Sequence, residues 1–297
     1  MAQIHELAPE ARTRKTPAGE KAGGKNREKK RKKRRTQAER ADRYKLYQQS
    51  VQDPRSDIEF FENVFEDRYA RKPRLFREDF CGTALTACHW VRRHHDNRAW
   101  GIDLDPEPLA WGRKHNAHKL DADQRSRLEL IEGDVLETKT DAADLIVAQN
   151  FSYCVFKTRH ALRQYFEVAR QGLNDQGLFV LDLFGGPDAQ RMIRDRTELK
   201  RFTYIWDQKF YDAITNEILC HIHFNFPDGS KMKKAFTYDW RLWTATEIKE
   251  LLLEAGFSRA DAYWEGPGDD GTGDGVFTRK NSAENEDAWI AYIIGGR

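Results

Sequence analysis

Before Thr36 the chain shows almost no apolar periodicity; beyond it, Tyr44, Leu46 and Tyr47, then Ile58, Phe60, Phe61, Val64 and Phe65 recur at helical spacing. This pattern predicts two helices, a cap over residues 41–70 that lays an apolar stripe on the domain behind it. A regular alternation follows. Leu75–Asp79 reads as a short strand, and Ala84, Leu85, Ala87, Cys88 and Val91 then fall on one helical face. Ala99–Asp103 is a second strand, after which Asp105-Pro106-Glu107 supplies an N-cap, a proline at the first helical position and a first-turn acid. Leu128–Ile131 and Asp144–Ala148 are further strands. Thr158 caps a helix carrying Leu162, Tyr165, Phe166, Ala169 and Leu173, and Leu178–Phe184 is a nearly continuous apolar run, as expected for a strand buried on both faces. Strands separated by helices of about 10–15 residues predict βαβ units and an α/β fold with a doubly wound, mostly parallel, seven-stranded sheet.

Residues 195–243 interrupt this order with an antiparallel insertion that holds 11 of the 35 aromatic residues. Ile218, Cys220, Ile222, Phe224 and Phe226 share one face of a strand, with His221 and His223 on the other. Pro227-Asp228-Gly229-Ser230 is a turn, and Met232–Trp240 returns with Phe236, Tyr238 and Trp240 aligned. Thr244-Ala245-Thr246-Glu247 is a capping box ahead of Ile248, Leu251, Leu252 and Ala255, with Gly256 as the stop. Arg259–Trp264 and Trp289–Ile294 are the last two strands, joined through the acidic, glycine-rich stretch GPGDDGTGDG, which reads as a loop.

Charge divides the chain. Its 50 Lys+Arg and 48 Asp+Glu nearly cancel, yet residues 1–46 alone hold 16 basic and 6 acidic side chains. Lys25–Arg35 carries nine cations and one anion, so residues 1–40 are expected to form a disordered basic tail, with the folded domain over 41–297. The tail offers phosphate contacts and no aromatic residue for base stacking, so any nucleic-acid binding would be nonspecific and salt-sensitive. No apolar run reaches the ~18 residues of a membrane span and no secretory h-region is present, so a cytoplasmic protein without membrane contact is expected. Cys81, Cys88, Cys154 and Cys220 form no C-x-x-C pair, which argues for reduced thiols. His221 and His223 lack a third ligand at metal spacing and read as a polar sheet face. Asp270, Thr272, Asp274 and Gly275 imitate a calcium loop, but Asn281 stands where a bidentate Glu belongs. No metal is expected.

In an open parallel sheet, ligands bind beyond the carboxyl ends of the strands, which directs attention to REDFCGTALTA, Arg77–Ala87. Against the dinucleotide fingerprint G-x-G-x-x-G only Gly82 survives, and Glu78 and Asp79 put negative charge where a pyrophosphate would lie. A cationic ligand suits that setting better. Glu78-Asp79-Phe80-Cys81-Gly82-Thr83-Ala84 resembles the first motif, acid-x-Gly-x-Gly-x-Gly, of the class I S-adenosylmethionine-dependent methyltransferases, with Phe80 in place of the first glycine. It is also similar to a small bacterial subset that shares EDFCGTA and the stretch DWRLWT.

The resemblance spans residues 74–297. It implies S-adenosylmethionine as methyl donor, with Glu78, Cys81, Gly82, Thr83 and Ala84 around the methionine end, Asp103 on the ribose with Leu104 beside it, and Asp134 and Val135 near the adenine. The stretch AQNFSY resembles the Asn-Pro-Pro-Tyr box of amino-methyltransferases, with Phe151-Ser152 replacing both prolines. It implies Asn150 at the cofactor and acceptor, Tyr153 as the candidate catalytic residue, and the insertion as a substrate lid. The expected reaction is methyl transfer to a nitrogen or oxygen nucleophile of a small-molecule acceptor; the in-line displacement needs positioning more than a general acid. Two alternatives stay open: an RNA or ribosomal-protein methyltransferase recruited by the basic tail, and a noncatalytic ligand-binding module.

Overall fold

The computed structural model describes residues 35–268 and 273–297. The expectations for residues 1–34, including most of the Lys25–Arg35 block, and for Asp270 and Thr272 lie outside the described residues. Residues 36–297 form one compact unit. It opens with a short helix α1 (Gln37–Arg40), closed by a Thr36/Glu39 capping box, then α2 (Arg43–Val51) and α3 (Pro54–Tyr69). Helix α1 lies a few residues before the start that the apolar pattern suggests; it buries no residue and is held by its cap and by the Gln37 and Ala38 amides, which donate to Asp228 Oδ2 and Ser230 Oγ.

The alternating core follows: β1 (Leu75–Asp79), α4 (Leu85–Arg93), β2 (Arg98–Asp103), α5 (Pro106–His115), α6 (Ala122–Ser126), β3 (Leu128–Glu132), β4 (Ala143–Ala148), α7 (Arg159–Gln171) and β5 (Leu173–Gly185). The insertion is a separate four-stranded antiparallel sheet, β6 (Arg194–Leu199), β7 (Phe202–Tyr211), β8 (Glu217–Asn225) and β9 (Lys231–Arg241), ordered as numbered. Helix α8 (Ala245–Glu254), with its Thr244/Glu247 capping box in place, leads to β10 (Arg259–Pro267), β11 (Gly273–Lys280) and β12 (Trp289–Gly296).

The main sheet runs β11-β10-β12-β5-β4-β1-β2-β3, parallel from β3 to β5, with β12 reversed between β5 and β10. It has eight strands where seven were expected. The extra one is β11, which pairs with β10 across the glycine-rich acidic stretch. Its side chains are mostly exposed and give no apolar alternation; it forms because β10 offers a free edge whose backbone groups need partners.

One sheet face packs α3 and α4 around Phe61, Phe65, Phe76, Trp90, Val147 and Val180; the other packs α7 and α8 around Ile146, Phe166, Phe179, Leu181 and Leu251. Strand β1 spells LFRED yet is buried from Phe76 on. Arg77 is only 2 % exposed, and its Nε donates to Asp79 Oδ1 at 2.7 Å while Tyr165 donates to Asp79 Oδ2 at 2.9 Å. A buried charge is tolerable when paired and hydrogen-bonded in this way.

His221 and His223 lie on a polar sheet face, as expected, but a buried one. Both are buried, with His223 Nε2 3.2 Å from Asp207 Oδ2, its Nδ1 accepting from the Lys234 amide at 2.9 Å, and His221 Nδ1 3.0 Å from Thr237 Oγ1. All four cysteines are free and buried.

Candidate active site

Strand order reverses between β1 and β4, so their carboxyl ends open a crevice beside that of β2. The loop leaving β1 has Phe80, Gly82 and Ala84 at φ of +56°, +52° and +52°. Every second residue is left-handed, the course that glycine adopts without penalty and that costs other residues roughly 1–2 kcal/mol. The surroundings hold it there. The Phe80 ring packs edge-on against Tyr165, Cys81 N–H donates to Ile102 O at 2.9 Å, and Gly82 N–H donates to Asp103 Oδ2 at 2.7 Å. Asn116 Nδ2 donates to Thr83 O at 2.9 Å and Gln48 Nε2 to Thr83 Oγ1 at 2.7 Å. Phe80 is therefore held in a left-handed conformation that a glycine would adopt without penalty.

These residues floor a cavity of about 490 Å³, within the usual range for small-molecule sites. Phe80 to Thr83, Asp103, Asp105 and Asn150 line it from below; Tyr44, Tyr47 and Gln52 of the N-terminal segment and Lys234 to Tyr238 of β9 line it from above. Gln52 Oε1 is buried without a hydrogen-bond partner, an acceptor that awaits a donor. Leu104, beside Asp103, is 70 % exposed.

Asp103 accepts from Gly82 N–H on one oxygen and from Asp105 N–H, at 2.9 Å, on the other. Burial raises its pKa above the usual carboxylate value, against the pull of both amides. Glu78 lies beneath the loop, 4 % exposed, accepting from Ala87 N–H at the start of α4. Burial pushes its carboxyl up to about 8, with this amide and Thr86 opposing.

Asn150 and Phe151 are also left-handed, at φ +54° and +59°, and both amides donate to the Asp182 carboxylate, at 2.6 and 2.9 Å. Burial holds Asp182 at about 7 despite these two bonds. Asp57 of α3, which accepts from Tyr292 at 3.0 Å and is bonded to Gln149, is pushed by burial to about 6. Glu78 and Asp182 are buried and Asp57 half-buried; none of them lines the cavity, but Asp57 raises the pKa of both others, a setting that a bound cation would relieve.

A second cavity, about 170 Å³, adjoins the first and shares Tyr47, Asn150 and Tyr238 with it. Its walls are Phe151, Phe184, Tyr204, Trp206, Ile222 and Trp240.

Several sequence-derived candidates stand apart. Tyr153 does not face either cavity; it is completely buried and donates to the Asp182 main-chain carbonyl at 2.9 Å, a bond that secures the β4 loop to β5. Asp134 uses its carboxylate to accept from Leu136 N–H at 2.9 Å, and Val135 is in the core with its carbonyl bonded by Arg77. Neither lines the cavity, because the turn after β3 folds back under its own bonds. Ala84 is likewise buried under the loop. Conversely, Tyr47, Tyr238, Gln48, Gln52, Asp57 and Asp182 escaped sequence reasoning. Asp182 alone left a trace: it is the single charge within the apolar run Leu178–Phe184.

Residues 79–181 match a family model described as a methyltransferase domain. In fold the chain is similar to an S-adenosylmethionine-dependent methyltransferase from Clostridium acetobutylicum, at 15% identity and a TM-score of 0.59 over 85% of this chain and 96% of that one. It is also similar to DesVI of Streptomyces venezuelae, at 17% identity and a TM-score of 0.61 over 86% and 98% of the two chains. A sugar N-methyltransferase from Streptoalloteichus matches at 16% identity and a TM-score of 0.59 over 86% and 93%. No curated protein matches the chain. Among the described residues no helix is long and apolar enough to cross a membrane.

Proposed function

Starting from the premise that this chain carries a class I S-adenosylmethionine-dependent methyltransferase domain, we propose that it moves the methyl group to a nitrogen or oxygen nucleophile of a small-molecule acceptor. The observation that carries this reading is the junction of two cavities, one of mixed polar and apolar lining and floored by the β1 loop, the other aromatic, which share Tyr47, Asn150 and Tyr238.

In this reading Gly82 and Thr83 hold the methionine end of the cofactor, and Gln52 Oε1 accepts from its amino group. Asp103 takes the ribose hydroxyls with its remaining lone pairs, and Leu104 offers an exposed apolar face to the adenine. Glu78, Asp182 and Asp57, whose pKa values burial raises, are groups whose ionised forms the sulfonium and ammonium of a ligand with net charge +1 would favour. The cofactor supplies an electrophilic sulfonium methyl. The protein's task is then to hold a nucleophile ~3–3.5 Å from that carbon, in line, and to keep water out. Tyr47 and Tyr238, hydrogen-bonded to each other at the junction, are placed to orient the acceptor. Residues 43–52 and 234–238 roof the first cavity, where the insertion would act as a lid.

The solved relatives include enzymes described as sugar and amino pentose methyltransferases, which supports a small acceptor. Titration calorimetry with S-adenosylmethionine tests the cofactor site: Asp103→Ala should weaken binding, and undiminished binding would overturn the assignment. Incubation with methyl-labelled cofactor and separated cell fractions tests the acceptor. Label in small molecules is expected; label in RNA or ribosomal protein, lost on deletion of residues 1–34, would favour the tail-recruited alternative.

A further inference from the structure

We propose that the acceptor is a primary or secondary amine, drawn in as its ammonium ion and delivered through the aromatic cavity; this rests on the methyltransferase reading above and narrows its substrate. Rings enclose the path. Tyr238 and Trp240 stack at 4.3 Å between centroids, Trp206 lies 5.9 Å from Tyr238 and 6.3 Å from Trp240, and Phe151 meets Trp240 edge-on at 6.5 Å. A cation over such faces is attracted by the ring quadrupoles, by about 2 kcal/mol or more when desolvated. Among the described residues no Lys, Arg or His lines this cavity.

The approach from outside repeats the preference. A third cavity of about 300 Å³ shares Phe184, Trp206 and Ile290 with the aromatic one, and its charged lining consists of Asp188, Asp195 and Glu265. Asp188 is paired with Arg191 and Glu265 accepts from the Gly275 amide, yet no basic residue lines the cavity itself. At the inner end, the Asp182 carboxylate sits directly behind the Asn150 and Phe151 amides. Carboxyl groups therefore stand at both ends of an aromatic passage, and a cation would favour the ionised form of the inner one. A phenolate or carboxylate would meet acids at the entry and no basic residue along the rings; the nearest lining cations, Arg43 and Lys234, belong to the cofactor cavity beyond. A neutral planar acceptor would suit the rings but gain nothing from the acidic entry.

The chemistry balances without a further reagent. Once past the rings, at the junction with the first cavity, the ammonium loses one proton to water. The free amine's lone pair forms the new N–C bond as the C–S bond breaks, its electron pair remaining on sulfur as a neutral thioether. The methylated product is again an ammonium and leaves by the same passage, or loses its second proton and reacts again.

The test uses the full-length protein, methyl-labelled S-adenosylmethionine and the small-molecule fraction of a cell extract, in two portions. One is untreated; in the other, amines are capped with acetic anhydride and phenols then restored with hydroxylamine. Label should enter the untreated portion, bind a cation exchanger at pH 5, and fall at least tenfold in the capped one. The variant Asp195→Asn/Glu265→Gln should raise the acceptor KM about fivefold while its S-adenosylmethionine Kd, measured by calorimetry, stays within twofold of wild type. Equal label in the capped portion, or label in neutral or anionic products, overturns the proposal. So does a protein that binds the cofactor and methylates neither portion, an outcome that leaves the cofactor assignment standing; absent cofactor binding instead removes the underlying reading and the proposal with it.

Discussion

Gly112 on α5 faces the carbonyl of Thr83, and an added Cβ would lie 2.4 Å from that oxygen, 2.8 Å from the carbonyl carbon and 3.1 Å from Thr83 Cα. Close carbon–oxygen contacts run to about 3.3 Å, so Gly112→Ala must drive helix and loop apart by about 0.9 Å. The loop has little freedom to yield. Its Thr83 oxygen is held by Asn116, its Thr83 hydroxyl by Gln48 and its Gly82 amide by Asp103. Overpacking of this kind costs about 1–3 kcal/mol, and alanine's better helix propensity returns about 1 kcal/mol, so unfolding should become easier by only about 0–2 kcal/mol. Cofactor binding should suffer more, because the shift falls on the loop whose Gly82 amide and Asp103 partner would hold the ligand. Urea denaturation and titration calorimetry separate the two effects. Gly229→Ala is the control: the residue sits in a distant turn at φ +80° with nothing within 4 Å of an added Cβ, so it should lose about 1 kcal/mol of stability and keep its affinity. If Gly112→Ala binds S-adenosylmethionine within twofold of wild type, the clamped loop does not form the cofactor floor.

Asp103→Ala should reduce cofactor affinity about 10–100-fold, the loss of charge-assisted hydrogen bonds worth about 1.5–3 kcal/mol, as read by calorimetry. Arg77→Met leaves Asp79 buried beside Tyr165 without its cation and should destabilise the fold by about 3–5 kcal/mol in urea melts, whereas Arg77→Met/Asp79→Leu should recover most of that loss. Glu78, Asp182 and Asp57 all have folded pKa values above their ordinary ones. Their contribution to stability is complete below about pH 4 and is lost as pH rises through about 6, 7 and 8, so the thermal midpoint should fall across that window and Glu78→Gln should flatten its upper part. A cationic cofactor favours their ionised forms, so its binding should release protons at pH 7 and tighten from pH 6 to 8; calorimetry in buffers of different ionisation enthalpy would show no proton release if these carboxyls do not sense the ligand.

Much of the frame was legible because it is encoded locally. Capping residues Asp105, Thr158 and Thr244 stand where helices begin, and the apolar runs at β4 and β5 announce strands buried on both faces. Strand β11 was not legible, since its exposed side chains carry no alternation and its pairing depends on the free edge of β10. The left-handed turns at Phe80 and Ala84 run against their intrinsic preferences and exist because neighbouring rings, amides and Asp103 over-determine the loop. Tyr153 misled for a related reason. A tyrosine just past a strand end is equally suited to a site or to a core, and only the nearby Asp182 carbonyl decides for the core.

The sequence by itself determined the order of elements, the parallel sheet and the strand ends at which acids gather, because periodicity, caps and turns act over a few residues. Tertiary structure alone decided what covers those ends. Residues 43–52 and 234–238, nearly two hundred positions apart, meet over the β1 loop, and Asp57, Glu78 and Asp182 from three separate segments come to share one buried field. Such meetings depend on strand order and on which edges lie adjacent, a property of the folded sheet that no local pattern records.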